Sequence, residues 1–369
     1  MSDGGEPSGG PTRFMILGGF LGAGKTTLAV RLGRLLKEEY DKSVAIITND
    51  QGDVLVDTEF TKEAGFDVRE VLGGCFCANF DDFVKNARSL VQMSRPDVII
   101  AEPIGTSTNI LASVVAPLRT LYPDEFEVAP LTVVVDGTQA LGLLEGGERE
   151  GTTLIPSHQV KEAECLVLSK VDRLPESSLE PTMEALHRHL NGVEVIPYSS
   201  VTGENLDTVL DLILSDRVSR KMPTGADQST FAGEKASLGW YSSSSTLLPS
   251  GKVDLYDLVT SVMRKVADSF DASAVAHVKV VVRSPSVGVK VSLVGNSMQV
   301  DGLSGSRYLE EPGSVVVNAR VISSPEHLSG VLRDIIDSLE EEMPLSLRDF
   351  EESCFTPRPE APSYFFKQV

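Results

Sequence analysis

Several things are scarce in this 369-residue chain, and each absence narrows what it can do. No apolar run is long enough to cross a membrane as a helix, so no membrane role is expected. Four cysteines (Cys75, Cys77, Cys165, Cys354) are too few and too unevenly spaced for a disulfide framework. Reduced thiols are therefore expected, with the close pair Cys75 and Cys77 standing out. Basic residues are outnumbered, 33 Lys and Arg against 53 Asp and Glu, which gives a net charge of −20. That balance argues against a nucleic-acid or anionic-membrane partner. The five histidines form no ligand-spaced cluster with the cysteines, and His187 and His189, two apart on a predicted helix, point to different faces. There is no internal repeat. The opening MSDGGEPSGGPT lacks the basic and apolar regions of a signal peptide, so residues 1–12 are expected to be a disordered start in a cytoplasmic protein.

What is present begins at Phe14. A short apolar run, Phe14 to Leu17, reads as a buried strand, breaks into a glycine-rich loop, and gives way to a helical pattern from Thr27. From Gly19 the spacing is G-x-x-x-x-G-K-T, the phosphate-binding loop. Gly22 and Gly24 let backbone N–H groups turn around a polyphosphate, with Ala23 and Thr27 completing the cradle. Lys25 is expected to reach the β- and γ-phosphates, Thr26 to ligate Mg²⁺, and the helix N-terminus to add favourable partial charge.

Buried strands then alternate with helical patterns: Val44–Thr48, a small strand near Val68–Val71, Pro96–Glu102, Leu131–Asp136, Cys165–Ser169 and Val193–Pro197. This predicts an α/β fold, a P-loop NTPase domain with a mostly parallel sheet, over residues 13–222. Ligands of such sheets sit at the C-terminal strand ends, where the loop, Asp50, Glu102, Lys170–Asp172 and Ser199–Ser200 all fall. Residues 223–250, rich in Gly, Ser and Thr, read as a linker with one short strand at Leu238–Tyr241. Residues 251–369 read as a smaller α+β C-terminal domain, with a split βαβ sheet and helices on one face as its expected form. The proline-rich tail after Pro344 is expected to wrap a surface.

Ser169-Lys170-Val171-Asp172 resembles the N-K-x-D guanine motif of GTPases, with serine in place of asparagine. There the aspartate accepts hydrogen bonds from guanine N1–H and its 2-amino group, which adenine cannot offer. Ser199-Ser200-Val201-Thr202-Gly203 resembles the S-A-x-x-G loop whose backbone N–H meets guanine O6, which makes Ser200 and Val201 candidates. With the phosphate loop, in this order, GTP is favoured over ATP. For hydrolysis, Asp50 is the candidate to orient water or bind Mg²⁺ through water. Glu102–Gly105 falls where Ras-like GTPases carry D-x-x-G, which makes Glu102 the candidate for the second carboxylate near the metal and Gly105 for the backbone N–H that senses the γ-phosphate. No arginine stands beside these motifs as a cis finger, so slow intrinsic turnover is expected.

Together these residues resemble the CobW-like branch of the metallochaperone GTPases, the group that also holds UreG and HypB. GGFLGAGKTTL is close to the branch's GFLGxGKTTLL, Asn49–Asp53 falls at its N-E-F-G-E, and Glu102–Gly105 matches its E-x-x-G. Gly74-Cys75-Phe76-Cys77-Ala78 falls at its G-C-x-C-C. The resemblance covers about residues 13–215. It implies a GTP- and Mg²⁺-dependent switch that carries a metal ion (Zn²⁺, Co²⁺ or Ni²⁺) to a client metalloprotein, with Cys75 and Cys77 as metal ligands. Ala78 removes the third thiolate, and two leave tetrahedral Zn²⁺ short of ligands. Asp50, Asp53, a histidine or the second chain of a homodimer would supply the rest. The alternative is a GTP-dependent activator of a cobalamin enzyme, with a corrinoid protein as client and no need of a thiolate site.

Overall fold

The computed structural model describes residues 10–49, 65–71, 74–144, 154–357 and 360–367. Of the expected disordered start, residues 1–9 lie outside this range, and Thr12 already opens a strand. The N-terminal half runs β1 (Thr12–Gly19), α1 (Lys25–Glu39), β2 (Val44–Asn49), β3 (Asp67–Val71), α2 (Phe80–Ser94) and β4 (Val98–Glu102). A π-helical turn at Leu111–Val115 then leads into α3 (Ala116–Leu121) and β5 (Phe126–Val128). After these come β6 (Thr132–Asp136), α4 (Ala140–Leu144), α5 (Leu154–Glu162), β7 (Cys165–Ser169), α6 (Leu179–His189), β8 (Glu194–Pro197) and α7 (Leu206–Leu214). The strands pair in the order β3-β2-β4-β1-β6-β7-β8, with β5 also on β1, and every pairing is parallel.

Both faces of this sheet are covered, which explains why its strands read as unbroken apolar runs rather than alternations. Within β1, Phe14 and Ile16 point into a core shared with Phe76, Phe80 and Phe83. Met15 and Leu17 point the other way, onto Leu28, Leu32 and Leu36 of α1. Burying each of those leucines contributes about 1.5–3 kcal/mol, enough to fix α1, and with it Lys25 and Thr26, against the end of β1.

The C-terminal half departs from expectation at its start. The strand expected inside the linker runs as β9 from Leu238 to Pro249, and it is an interior strand of the second sheet. It follows a short helix, α8 (Ala232–Ser237), so the sheet domain opens well before residue 251. Composition misled here: Ser242, Ser243 and Ser245 read as linker, yet all three are buried because neighbouring strands flank β9 on both sides. Next come β10 (Val253–Asp254), α9 (Leu255–Ser269), β11 (Val275–Arg283), β12 (Val287–Val294), β13 (Ser297–Gly305) and β14 (Tyr308–Leu309). The half ends with β15 (Gly313–Ile322), α10 (Pro325–Glu342) and β16 (Leu345–Phe355). Residues beyond Pro344 thus begin as an edge strand before the chain turns back.

The order β13-β12-β11-β15-β9-β16 is antiparallel throughout. β9 and β11 run parallel to each other with β15 between them, a split βαβ arrangement whose first strand lies in the stretch that the sequence assigned to the linker. Alternation gives this sheet two unlike faces. Val278, Val280, Val291, Leu293, Val317 and Ala319 pack with Leu258, Val262, Leu332 and Ile336 of α9 and α10. The opposite, polar face is turned toward the first sheet's ligand edge. Asp254 and Ser324 cap the two helices by accepting backbone N–H groups.

Candidate nucleotide site and cysteine loop

The phosphate loop leaves β1 and enters α1 at Lys25, and β4 delivers Glu102 beside it. Thr26 Oγ1 donates to Glu102 Oε1 at 2.9 Å, and Lys25 Nζ stands 3.9 Å from the same oxygen while donating to the Phe20 carbonyl at 3.1 Å. Lys25, Thr26 and Glu102 are all at least nine-tenths buried. The Thr26–Glu102 pair is a hard-oxygen donor set of the kind Mg²⁺ takes, so these residues fit the ion the motif implies. Gly105 approaches the loop so closely that a Cβ on it would lie 2.7 Å from Leu21 Cδ2. Its carbonyl accepts from Gln159 Nε2 of α5 at 2.9 Å, as does that of Ser107 at 2.7 Å. Asp50 lies outside the described residues.

On the base side, Ser169 Oγ donates to the carbonyl of Ala23 at 2.7 Å and to that of Val135 at 3.0 Å. The serine that stands for asparagine therefore still ties this motif to the phosphate loop. Lys170 adopts a left-handed conformation and pairs with Asp136 at 2.8 Å, a carboxylate at the end of β6. Asp172 is exposed, and its Oδ1 accepts from Ser199 Oγ at 2.6 Å. Ser199 Oγ in turn accepts from the N–H groups of Val201 and Thr202 at 3.1 Å. The N–H of Val201 is thus engaged inside the loop and its side chain is exposed, whereas Ser200 lines the cleft. Tyr198 is buried beside it, which pushes its hydroxyl up to about 12.

Gly22, Ala23, Gly24, Lys25, Thr26, Thr27, Glu102, Gly105, Ser169, Lys170 and Ser200 line one cleft. Gly19 sits behind it as the last residue of β1. The structure thus brings together the expected phosphate and base elements, apart from Asp172 and Val201, which lie just outside its wall.

Residues 13–197 match the family described as CobW/HypB/UreG, nucleotide-binding domain. The chain belongs to this family. The zinc chaperone YeiR of Escherichia coli K12 is 28% identical over 170 residues, covering 45% of this chain and 49% of the relative. The zinc chaperone YjiA of the same organism is 26% identical over 208 residues, 53% of this chain and 59% of the relative. The zinc chaperone CobW of a Sinorhizobium is 37% identical over 98 residues, 24% of this chain and 27% of the relative. The chain spans about half the length, or less, of these curated relatives.

The second feature of this CobW/HypB/UreG domain is the loop after β3. Cys75 and Cys77 are joined as a disulfide with their Cα atoms 5.2 Å apart, so they are not the reduced pair expected from the sequence. Sulfurs bonded to each other offer no thiolate, and the loop fits a soft ion only once reduced. Among the described residues, no group of three or more His, Cys, Asp or Glu side chains is placed to hold a metal. Asn49, given no role of its own in the Asn49–Asp53 motif, and Glu360, not singled out in the sequence, anchor this loop. Asn49, at the end of β2, donates to the carbonyls of Val71 (2.9 Å) and Gly74 (2.7 Å) and accepts from the Phe76 N–H at 3.1 Å. Glu360, in the returning tail, accepts from the Cys75 N–H at 2.9 Å. Ser363 N–H donates to the Cys77 carbonyl at 2.8 Å, and Tyr364 packs on Phe80. The tail does wrap a surface, and the surface is the cysteine loop. The signal for Asn49 was its place at a strand end, opening the Asn49–Asp53 motif; Glu360 carried none.

Two titratable groups behind the site are displaced by burial. Glu162 is pushed up to about 7 although the Ile110 and Leu111 N–H groups donate to it, and desolvation brings His158 down to about 4. Among the described residues, no helix is long and apolar enough to cross a membrane.

Proposed function

We propose that this protein is a GTP-binding, Mg²⁺-dependent GTPase of slow intrinsic turnover, acting as a metallochaperone that delivers a metal ion to a client metalloprotein. One observation carries the reading. Asn49 lines the nucleotide cleft and is hydrogen-bonded to Val71 and Gly74 ahead of Cys75 and to Phe76 between the two cysteines, so the nucleotide and cargo elements meet in one side chain. Lys25 holds the phosphates, Thr26 and Glu102 hold Mg²⁺, and Asp172 selects guanine. Asp50, Gly105 and the loop at Ser200 and Val201 complete the nucleotide site. Through Asn49, GTP bound in the cleft is coupled to the cysteine loop. The relatives described as zinc chaperones support Zn²⁺ as cargo, and Co²⁺ and Ni²⁺ share the same thiolate chemistry. A homodimer would supply the ligands that Ala78 does not.

The test is a Zn²⁺ titration of the reduced protein with GTP and Mg²⁺, beside the Cys75→Ala, Cys77→Ala double variant. Tighter Zn²⁺ binding by wild type supports the reading; equal binding refutes it. The cobalamin-enzyme activator is favoured by a different observation, the engagement of the two sulfurs with each other, because that function needs no thiolate site. Activation of a corrinoid client by the double variant would select it.

A further inference from the structure

The polar face of the C-terminal sheet is closed over the phosphate loop. Cross-strand register aligns Trp240, Arg320 and His277 in one row and sets Asn318 beside Lys279 in the next. Lys290, two residues before Ser292 on β12, shares this face. Arg320, Lys290 and Asn318 are each 7% exposed, although an ordinary sheet face of this polarity would meet water. All of these residues line the same cleft as Lys25 and Thr26. Protein contacts orient them: Arg320 Nη1 donates to the Tyr241 and Ala319 carbonyls at 3.0 Å, and its guanidinium lies 4.1 Å over the Trp240 ring.

Three further observations point to a ligand between the two halves. The sheet touches the loop itself, since a Cβ on Gly22 would lie 2.4 Å from Val294 Cγ2. Trp240 also joins an apolar cluster with Ile104, the residue before Gly105. Finally, Trp240, on the wall of this cleft, keeps a buried indole Nε1–H with no partner among the described residues. Buried polar groups are normally satisfied, and a polar ligand in this cleft would do so.

We propose that this sheet is the second half of the nucleotide site, in which Lys279, Lys290 and Arg320 bind the triphosphate from the side opposite Lys25. The proposal rests on the phosphate-loop reading above. Nucleoside triphosphate then bridges the two domains, and loss of the γ-phosphate loosens the bridge. Charge-assisted contacts to phosphate are the strong class of hydrogen bond. The sequence placed no arginine at the site because this one comes from the other domain.

The experiment compares full-length wild type with Lys279→Gln, Lys290→Gln and Arg320→Gln for binding of fluorescent GTPγS and GDP. Each variant is expected to lose about tenfold in GTPγS affinity while GDP affinity falls less than about threefold. Lys279→Arg and Lys290→Arg should restore it. Equal loss for both nucleotides, or no loss, overturns the proposal. Hydrogen exchange of wild-type residues 275–294 needs no variant to fold: protection by GTPγS beyond that by GDP is expected, and its absence overturns the bridge. Lys25→Ala is the control, because retained nucleotide binding there would defeat the phosphate-loop reading itself.

Discussion

The Cβ that Gly22 lacks would stand 2.4 Å from Val294 Cγ2, so the phosphate loop meets the C-terminal sheet at a point where only glycine fits. Gly22 also has φ +73°, in the left-handed region. Gly22→Ala should cost about 1–2 kcal/mol in backbone conformation alone, with a further loss from the contact. Val294→Ala in the same chain should recover the contact part and leave the conformational part. Trp240, the chain's single tryptophan, lies at this junction, so its fluorescence during thermal unfolding reports the outcome.

Replacing Asp172 by Asn exchanges a double acceptor for an amide. GTP affinity should fall by at least about tenfold, the range expected when a polar recognition group is mismatched, and xanthosine triphosphate should gain. Competition binding between the two nucleotides measures this, and unchanged preference would remove Asp172 from the base pocket.

Asn49→Ala deletes three hydrogen bonds that bind the cysteine loop to β2. It leaves the Phe76 N–H, Val71 carbonyl and Gly74 carbonyl to find other partners. A loss of roughly 2–3 kcal/mol follows from the usual cost of buried unsatisfied groups, read as a lower Tm. The same variant should abolish any effect of GTP on Zn²⁺ binding, read by Zn²⁺ titration with and without GTP.

Glu162 is protonated more readily in the folded chain than in the unfolded one, because burial raises it from 4.5 to about 7. Its stabilising contribution is present below pH 4.5 and is lost as pH rises through about 7. His158, lowered from 6.5 to about 4, acts in the opposite sense: its penalty is felt as pH falls from 6.5 toward 4. Glu162→Gln should therefore flatten the fall in Tm between pH 5 and pH 8 (about the window these shifts set), and His158→Gln should flatten the fall below it. Thermal melts across that range decide both.

Deleting the tail from residue 358 onward removes Glu360, Ser363 and Tyr364 from the cysteine loop. Cys75 and Cys77, at 9% and 5% exposure, should then be reached more easily. Reduction by a dithiol should speed up by about tenfold, since reaction of a buried disulfide is limited by access. Unchanged kinetics would show that the tail does not guard the loop.

The local chemistry of this protein was legible in its sequence. The spacing from Gly19 to Thr26, the carboxylate closing the β4 run, and the order of the later motifs gave the parallel sheet and its ligand edge. A strand-loop-helix phosphate cradle is a short-range object, fixed by residue types at fixed offsets. A second unit of mixed strands and helices beyond residue 251 also followed from their alternation. The serine-rich β9 did not, because its burial depends on β15 and β16, which arrive much later in the chain. The same reason hid Glu360, Arg320 and the pairing of Val294 with Gly22. A lysine or arginine on alternating positions of a strand reads as a solvated face, and sequence alone cannot say that another domain covers it. Which polar face becomes buried is decided by docking between halves far apart in the chain, and only the tertiary structure contains that information.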